Sequence, residues 1–464
     1  MKNMTVAEIA GILKGRLCQG DPEVRVGAVS IDSRRLASGQ LFFALRGERH
    51  DGHDFIPAAV AAGAGGVVVD RLVTGIDPAV PVIQVANTLV ALQELARYNR
   101  RAYRVPVIGV TGSSGKTSTK DLVAAALSRR MQVLKTTGNQ NNEIGLPLTL
   151  LEMDDGHQAA VVEMAMRGPG EIAFLCDLAR PTAGIITNIG EAHVERLGSV
   201  ESIARAKGEL LEAIPPEGFA LLHRESPFME REAARCRGRV YFFGFAEQAH
   251  VRALDIRPGG GGNRFKVRLP DGSEGDIYLP LPGRHNVLNA LAAVGVAWAL
   301  GVSLEDAARG LAAASLSPMR LEMVEKNGIT IINDAYNANP ASTGAALQVL
   351  AEMGAGRRIA VLGDMLELGR EAFPGHRRVG AAVAAGAVDY LVTVGELGRI
   401  IATGAVEAGF PPGRVFAAAS NTEAVDHLRP RLLPGDVVLV KGSRGMGMEQ
   451  IVRELLEKVT SSTG

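Results

Sequence analysis

The chain has few cysteines, no long apolar run and no excess of either charge, and each of these absences removes a class of function. Three cysteines occur in 464 residues, Cys18, Cys176 and Cys236. They are scattered, with no Cys-x-x-Cys pair, so neither a disulfide framework nor a zinc site is indicated, and a reducing cytoplasm is the expected location. No stretch of about 20 apolar residues is present to span a bilayer. The amino terminus lacks a long apolar core, and Thr5-Val6-Ala7-Glu8 instead spells a capping box that starts a helix, so no signal peptide is expected. Lys plus Arg number 50 and Asp plus Glu 50, with no long run of one sign, which leaves no basic stripe for a nucleic acid.

What is present is an ordinary globular composition, 47% apolar and 22% charged. One hydrophobic core rarely organises a chain of this length, and three domains are expected. Residues 1–88 alternate apolar runs at 41–45, 67–69 and 82–85 with a helical pattern at 55–62, as a small α/β unit does. A helix at 88–98 and the extended Val105-Pro106 lead into a second unit, residues 89–316. Strands at 107–110, 159–163 and 184–187 belong there to a parallel sheet wrapped by helices. Short strands between 240 and 281 surround Gly259-Gly260-Gly261-Gly262, a small β-rich insertion with a flexible hairpin tip. Strands at 330–332, 359–362, 390–394 and 437–440 make residues 317–464 a third, Rossmann-like domain. The fold class is α/β throughout.

The chemistry begins at Thr111-Gly112-Ser113-Ser114-Gly115-Lys116-Thr117, a glycine-rich turn between a strand and a helix that opens at Ser118. Backbone N–H groups and the helix amino end converge there on one point, which suits phosphate. Lys116 reaches the terminal phosphates of ATP and the Thr117 hydroxyl takes a place on Mg²⁺. Val110 stands where the general motif has glycine, so the match is to a shorter Gly-x-x-Gly-Lys-Thr form. Glu163 ends an otherwise apolar strand, a reasonable Mg²⁺ carboxylate, and the strand ending at Thr187-Asn188 delivers Glu191 and His193 to the same edge. Lys207 occupies a position on the apolar face formed by Ile203, Leu210 and Ile214. Burial would free its neutral amine to react with CO₂ and form a carbamate. Taken alone, the pattern favours a snorkelling lysine with its ammonium in water.

Taken together these residues resemble the Mur ligases, ATP-dependent amide ligases of peptidoglycan assembly, and the likeness runs along the whole chain. It is carried also by Asp32-Ser33-Arg34, Gly138-Asn139-Gln140-Asn141-Asn142, Leu281-Pro282-Gly283-Arg284-His285-Asn286, Asn333-Asp334-Ala335-Tyr336-Asn337-Ala338-Asn339-Pro340 and Gly363-Asp364-Met365-Leu366-Glu367-Leu368-Gly369. The last two segments, and the lack of the Asp-Asn-Pro-Arg of diaminopimelate-adding members, imply UDP-N-acetylmuramoyl-tripeptide and D-alanyl-D-alanine as substrates. Ala165 departs from the commoner glycine.

The resemblance implies that the short phosphate loop is normal and that Lys207 is carbamylated. With Glu163 and His193 it would hold the second of two Mg²⁺ ions. Lys116, Lys207, His193 and Arg320 are the implied catalytic residues. His285, Asn286 and Asn289 would contact adenine, Arg320 an ATP phosphate and Asp334 the ribose. Ser33, Arg34, Gly52 and Asn87 or Thr88 would hold the UDP end, with Asn139 and Asn142 lining the cleft. Tyr336, Asn337 and Asn339 would face the nucleotide or dipeptide, while Lys441 and Ser443 would receive the dipeptide carboxylate. A monomer is expected, with ATP bridging domains that close upon it. Two rivals remain: a related ligase for another amino acid or a folate, and a phosphate-loop NTPase with no ligation.

Overall fold

A computed structural model describes residues 1–191, 194–259, 261–354 and 356–457. Its strands gather into three large sheets, one for each of the expected units. The first has five strands in the order Arg16–Gln19, Val82–Gln84, Gly66–Val69, Leu41–Phe43, Val29–Ser30, parallel except at the first pair. Before it, Thr5 caps the helix Val6–Ile12: Glu8 N donates to Thr5 Oγ1 at 3.2 Å and Thr5 N to Glu8 Oε2 at 2.7 Å, the expected capping box. The helix Thr88–Arg101 is shared. Its Leu92 and Leu95 lie in one core with Phe43 and Ile83 of the first sheet and Leu150 and Val162 of the next unit.

The central sheet holds the phosphate loop. Strand β1 (Val107–Thr111) is buried at every residue, which is why it reads as a continuous apolar run. It leads into helix α1 (Lys116–Leu127) and is flanked by β2 (Ala159–Glu163) and β3 (Ala183–Ile186), both parallel to it. Helix α2 (Val200–Glu212) lies across the sheet through Ile203 and Leu210, and a Cβ at Gly109 of β1 would meet Leu210 Cδ1 at 2.9 Å. Beyond β3 the sheet continues through β4 (Phe219–His223) and Arg239–Gly244 to the strands Val251–Gly259, Gly262–Arg268 and Glu274–Leu279. The expected β-rich insertion is thus the edge of the central sheet, completed by antiparallel pairs, with its hairpin tip at the glycine run.

The last unit is a six-stranded sheet in the order Glu322–Lys326, β5 (Ile329–Asn333), Val437–Lys441, Arg358–Gly363, Tyr390–Val394, Val415–Ala418. All its pairs are parallel except the first. Its carboxyl strand ends and those of β1, β2 and β4 open on one shared cavity, where ligands meet open α/β sheets. No helix among the described residues is long and apolar enough to cross a membrane.

Candidate functional site

The loop between β1 and α1 needs its two glycines. Gly112 has φ 150° and a Cβ there would sit 1.9 Å from Thr187 Oγ1; Gly115 has φ 76° and a Cβ there would sit 2.9 Å from Asn289 Oδ1. Asn188 holds the turn between them: its Oδ1 accepts Ser114 N at 2.9 Å and its Nδ2 donates to Ser114 Oγ at 2.8 Å. Thr111 Oγ1 donates to Met164 O at 2.9 Å, fastening the loop's root to the end of β2. Lys116 Nζ donates to Gly112 O at 2.8 Å. Loss of water pushes the Lys116 amine below the usual lysine value, the Glu163 charge opposing that shift and Arg320 adding to it.

Glu163 is buried, and its oxygens take two neutral donors: Thr117 Oγ1 at 2.8 Å and Asn141 Nδ2 at 2.9 Å. Thr136 Oγ1 accepts Glu163 N at 3.0 Å. A buried carboxylate with no ion-pair partner among the described residues suits a cation, because buried charge is otherwise costly. The donor set at Glu163 and Thr117, hard oxygens beside a phosphate loop, fits Mg²⁺. His193 lies outside the described residues. Lys207 is 1% exposed, so its head group does not snorkel. Burial lowers its amine well below the usual lysine range, and the charge of Lys116 lowers it further.

A cavity of about 390 Å³ is walled on one side by residues 113–118 and Glu163 and on the other by Arg320, Asp334, Tyr336, Asn337, Asn339 and Lys441. His285, Asn286 and Asn289 complete it from helix α3 (Arg284–Ala299). Asn289 takes Thr119 Oγ1 at 3.1 Å and gives its Nδ2 to Asn286 Oδ1 at 3.2 Å, so the pair braces the phosphate loop as well as lining the cavity. The Arg320 guanidinium stacks 4.1 Å over the Tyr336 ring. Asp334 accepts Leu321 N at 3.2 Å and Lys441 Nζ at 2.5 Å.

His285 is half-buried at this wall and pushed down to about 4 by loss of water, with Asp334 opposing the shift and Lys441 adding to it. An unfolded histidine titrates near 6.5, so between about pH 6.5 and pH 4 the unfolded chain takes a proton that the folded one refuses. Stability contributed by neutral His285 is therefore lost as pH falls through that window. The thermal midpoint of a His285→Gln variant is expected to fall less steeply than that of the parent between about pH 6.5 and pH 4.5. Parallel curves would contradict the assignment.

Of the other described residues expected at the site, all but Lys441 lie away from this cavity. Arg34 is exposed and pairs with Asp32 at 2.8 Å; Ser33 beside it is half-buried. Gly52 N donates to Leu45 O at 2.7 Å, and a Cβ there would meet that backbone at 2.6 Å. Asn87 Oδ1 accepts Val90 N at 3.0 Å as a helix cap, and Thr88 Oγ1 donates to Ala44 O at 3.0 Å. Asn142 Oδ1 accepts Gly145 N at 2.9 Å, while Asn139 is exposed. Lys441 is buried against Asp334 and also donates to Asn337 O at 2.9 Å, rather than standing as an open receptor. Ser443 is buried too, its Oγ accepting Leu366 N at 2.8 Å.

Four residues escaped the sequence reading. Asn141, Thr136 and Asn188 order the phosphate and metal edge, and His223, at the end of β4, lines the cavity. Asn141 lies inside a quoted asparagine-rich segment, but only the fold shows which asparagine turns toward Glu163.

The comparisons with known proteins span nearly the whole chain. Family models match in three consecutive pieces: Mur ligase family, catalytic domain, at residues 25–100; Mur ligase middle domain at 110–297; and Mur ligase, glutamate ligase domain, at 319–444. A UDP-N-acetylmuramoyl-tripeptide–D-alanyl-D-alanine ligase of Bacillus subtilis is 40% identical over 464 residues, covering 99% of this chain and 100% of that protein. A MurF crystal structure from Acinetobacter baumannii superposes with a TM-score of 0.88 at 34% identity, covering 99% of this chain and 100% of that one. A MurF ligase structure from Thermotoga maritima in complex with ADP gives 0.81 at 29% identity, covering 93% and 97%.

Proposed function

The chain belongs to the Mur ligase family, and from that membership we propose that it joins D-alanyl-D-alanine to UDP-N-acetylmuramoyl-tripeptide at the expense of ATP. It is an ATP-dependent ligase that forms a C–N bond, and its product is the UDP-linked pentapeptide of peptidoglycan synthesis. The observation that carries the reading is the cavity in which the phosphate loop of one sheet faces Arg320, Asp334 and Tyr336 of another. A nucleotide held between two such walls has its terminal phosphate presented to an acceptor in the crevice.

The tripeptide's terminal carboxylate attacks the γ-phosphorus; an O–P bond forms, the bridging P–O bond breaks and ADP leaves. The dipeptide amine then attacks the acyl carbon; the C–N bond forms, the acyl C–O bond to phosphate breaks, and phosphate leaves while the nitrogen gives up a proton to solvent. Both steps gather negative charge on oxygen, and fixed cations stabilise it best where water is excluded. Lys116 and Arg320, both lining the cavity, are assigned that part. Two Mg²⁺ ions would add to this neutralisation, held by Thr117, Glu163, His193 and Lys207. Lys207 would serve as a ligand only as a carbamate: the neutral amine attacks CO₂, an N–C bond forms and an N–H proton leaves to solvent. The depth of its burial supports that reading, since a buried ammonium is costly and a carbamate on a cation is not.

His285, Asn286 and Asn289 are assigned to the adenine, Asp334 to the ribose, and Ser33, Arg34, Gly52, Asn87 and Thr88 to the UDP end. Asn139 and Asn142 are assigned to the cleft, and Tyr336, Asn337 and Asn339 to the nucleotide or the dipeptide, while Lys441, held by Asp334, lines the same cavity. The units are placed at 1–88, 89–316 and 317–464, in a cytoplasmic monomer. Phosphate release is expected only when both UDP-muramoyl-tripeptide and D-alanyl-D-alanine accompany ATP. Robust turnover with either one omitted would sink the ligase reading.

A further inference from the structure

Residues 317–321 join the central unit to the last one, and a carboxylate ties each end. At the first end Asp121, on α1 just beyond the phosphate loop, is 2% exposed, and its Oδ2 accepts both Ser317 N at 2.9 Å and Ser317 Oγ at 2.7 Å. At the other end Asp334 Oδ1 accepts Leu321 N at 3.2 Å. Between them Arg320 lies over Tyr336, and its neighbours Met319 and Leu321 have φ 60° and 51°. Two non-glycine residues in the left-handed region, one on each side of a single arginine, persist only where the surroundings over-determine them.

Asp121 cannot swing freely. Its Oδ1 accepts Lys135 Nζ at 2.8 Å and lies 3.1 Å from Lys120 Nζ. Lys120 is itself buried and donates to Thr136 O at 2.7 Å, and the Thr136 hydroxyl accepts Glu163 N. One buried cluster on the phosphate helix therefore fixes the metal-side carboxylate in one direction and the start of the connecting strap in the other. The reaction as described does not use these contacts.

We propose that Asp121 and Ser317 are positioning residues that set Arg320 against the terminal phosphates of ATP, acting through the strap 317–321. The inference rests on the ATP-site reading above but not on the identity of the acceptor. Two hydrogen bonds onto one carboxylate oxygen define both where the strap starts and how it is turned. Losing the hydroxyl bond leaves Ser317 tethered by its N–H alone, free to pivot.

The test is a double-mutant cycle in nucleotide affinity, read by calorimetry on the full chain with Mg²⁺ and either ATP or AMP. Ser317→Ala is expected to weaken ATP binding about tenfold, the scale of a hydrogen bond to a charged group, and to leave AMP binding unchanged. Ser317→Thr keeps the hydroxyl and is expected to bind ATP as the parent does. In an Arg320→Ala background, Ser317→Ala is expected to add no further loss. An equal loss for ATP and AMP, the same further loss in the Arg320→Ala background, or no loss at all would each overturn the proposal. Ligation is not the readout, so failure of the pentapeptide assignment would show separately, as normal nucleotide binding without product.

Discussion

Replacement of Lys207 by alanine is expected to abolish most ligation, with a fall of about a hundredfold or more, and short-chain carboxylates such as acetate are expected to restore part of it. Lys207 sits at 1% exposure on a helix whose neighbouring positions are Ile203 and Leu210, and the charge that bears on it among the described residues is another cation, Lys116. Kept as an ammonium it would be an unneutralised buried charge, which proteins avoid. On the proposed reading, a carbamate there would instead be an anionic oxygen ligand beside the Glu163 and Thr117 assigned to Mg²⁺. Alanine would then remove that ligand and leave a space for a free carboxylate. Full activity in the alanine variant would contradict the role; a folded variant with no rescue by any carboxylate would limit it to packing.

Loss of Lys116 is expected to cost more. Lys116→Ala should lower kcat/KM by about a thousandfold, or ~4 kcal/mol of transition-state stabilisation. This is the scale for a cation aimed at developing charge in a dry site. Lys116 feels the charges of both Glu163 and Arg320. Its amine is carried by the first residue of α1, where the helix N–H groups add to its field. The effect should appear in both steps, because the γ-phosphate and the acyl phosphate pass the same place. Single-turnover measurement of ADP and of final product distinguishes them. A variant with unchanged ADP formation would remove Lys116 from the mechanism.

The strands and the phosphate loop were legible because their signals are local. A buried parallel strand is an apolar run, and a turn that cradles phosphate needs glycine at set places; Gly112 and Gly115 meet both the left-handed backbone and the close approach of Thr187 and Asn289. The convergence of Glu163, Lys116, Arg320 and Asp334 was also foreseen, through the resemblance more than the residues. What could not be read were partnerships made across the fold. Lys441 follows a buried strand and resembles an open receptor in sequence, yet Asp334, 107 residues away, takes its ammonium. Lys207 misled in the opposite direction, since its position on an amphipathic helix is equally that of a snorkelling side chain. Only the fold shows that this side chain is buried. Arg34, Asn87 and Thr88 show how a motif residue can also have an ordinary local use, as ion pair, cap and helix anchor. The Asp121 and Ser317 contact spans 196 positions and carries no motif.

The most direct test of the central claim is mass spectrometry of the product formed from UDP-muramoyl-tripeptide, ATP and D-alanyl-D-alanine. The account predicts a UDP-muramoyl-pentapeptide, heavier than the acceptor by one dipeptide less one water, with one ADP and one phosphate for each molecule made. ATP consumed with the tripeptide recovered unchanged, or a different amino acid joined in preference to the dipeptide, would contradict it.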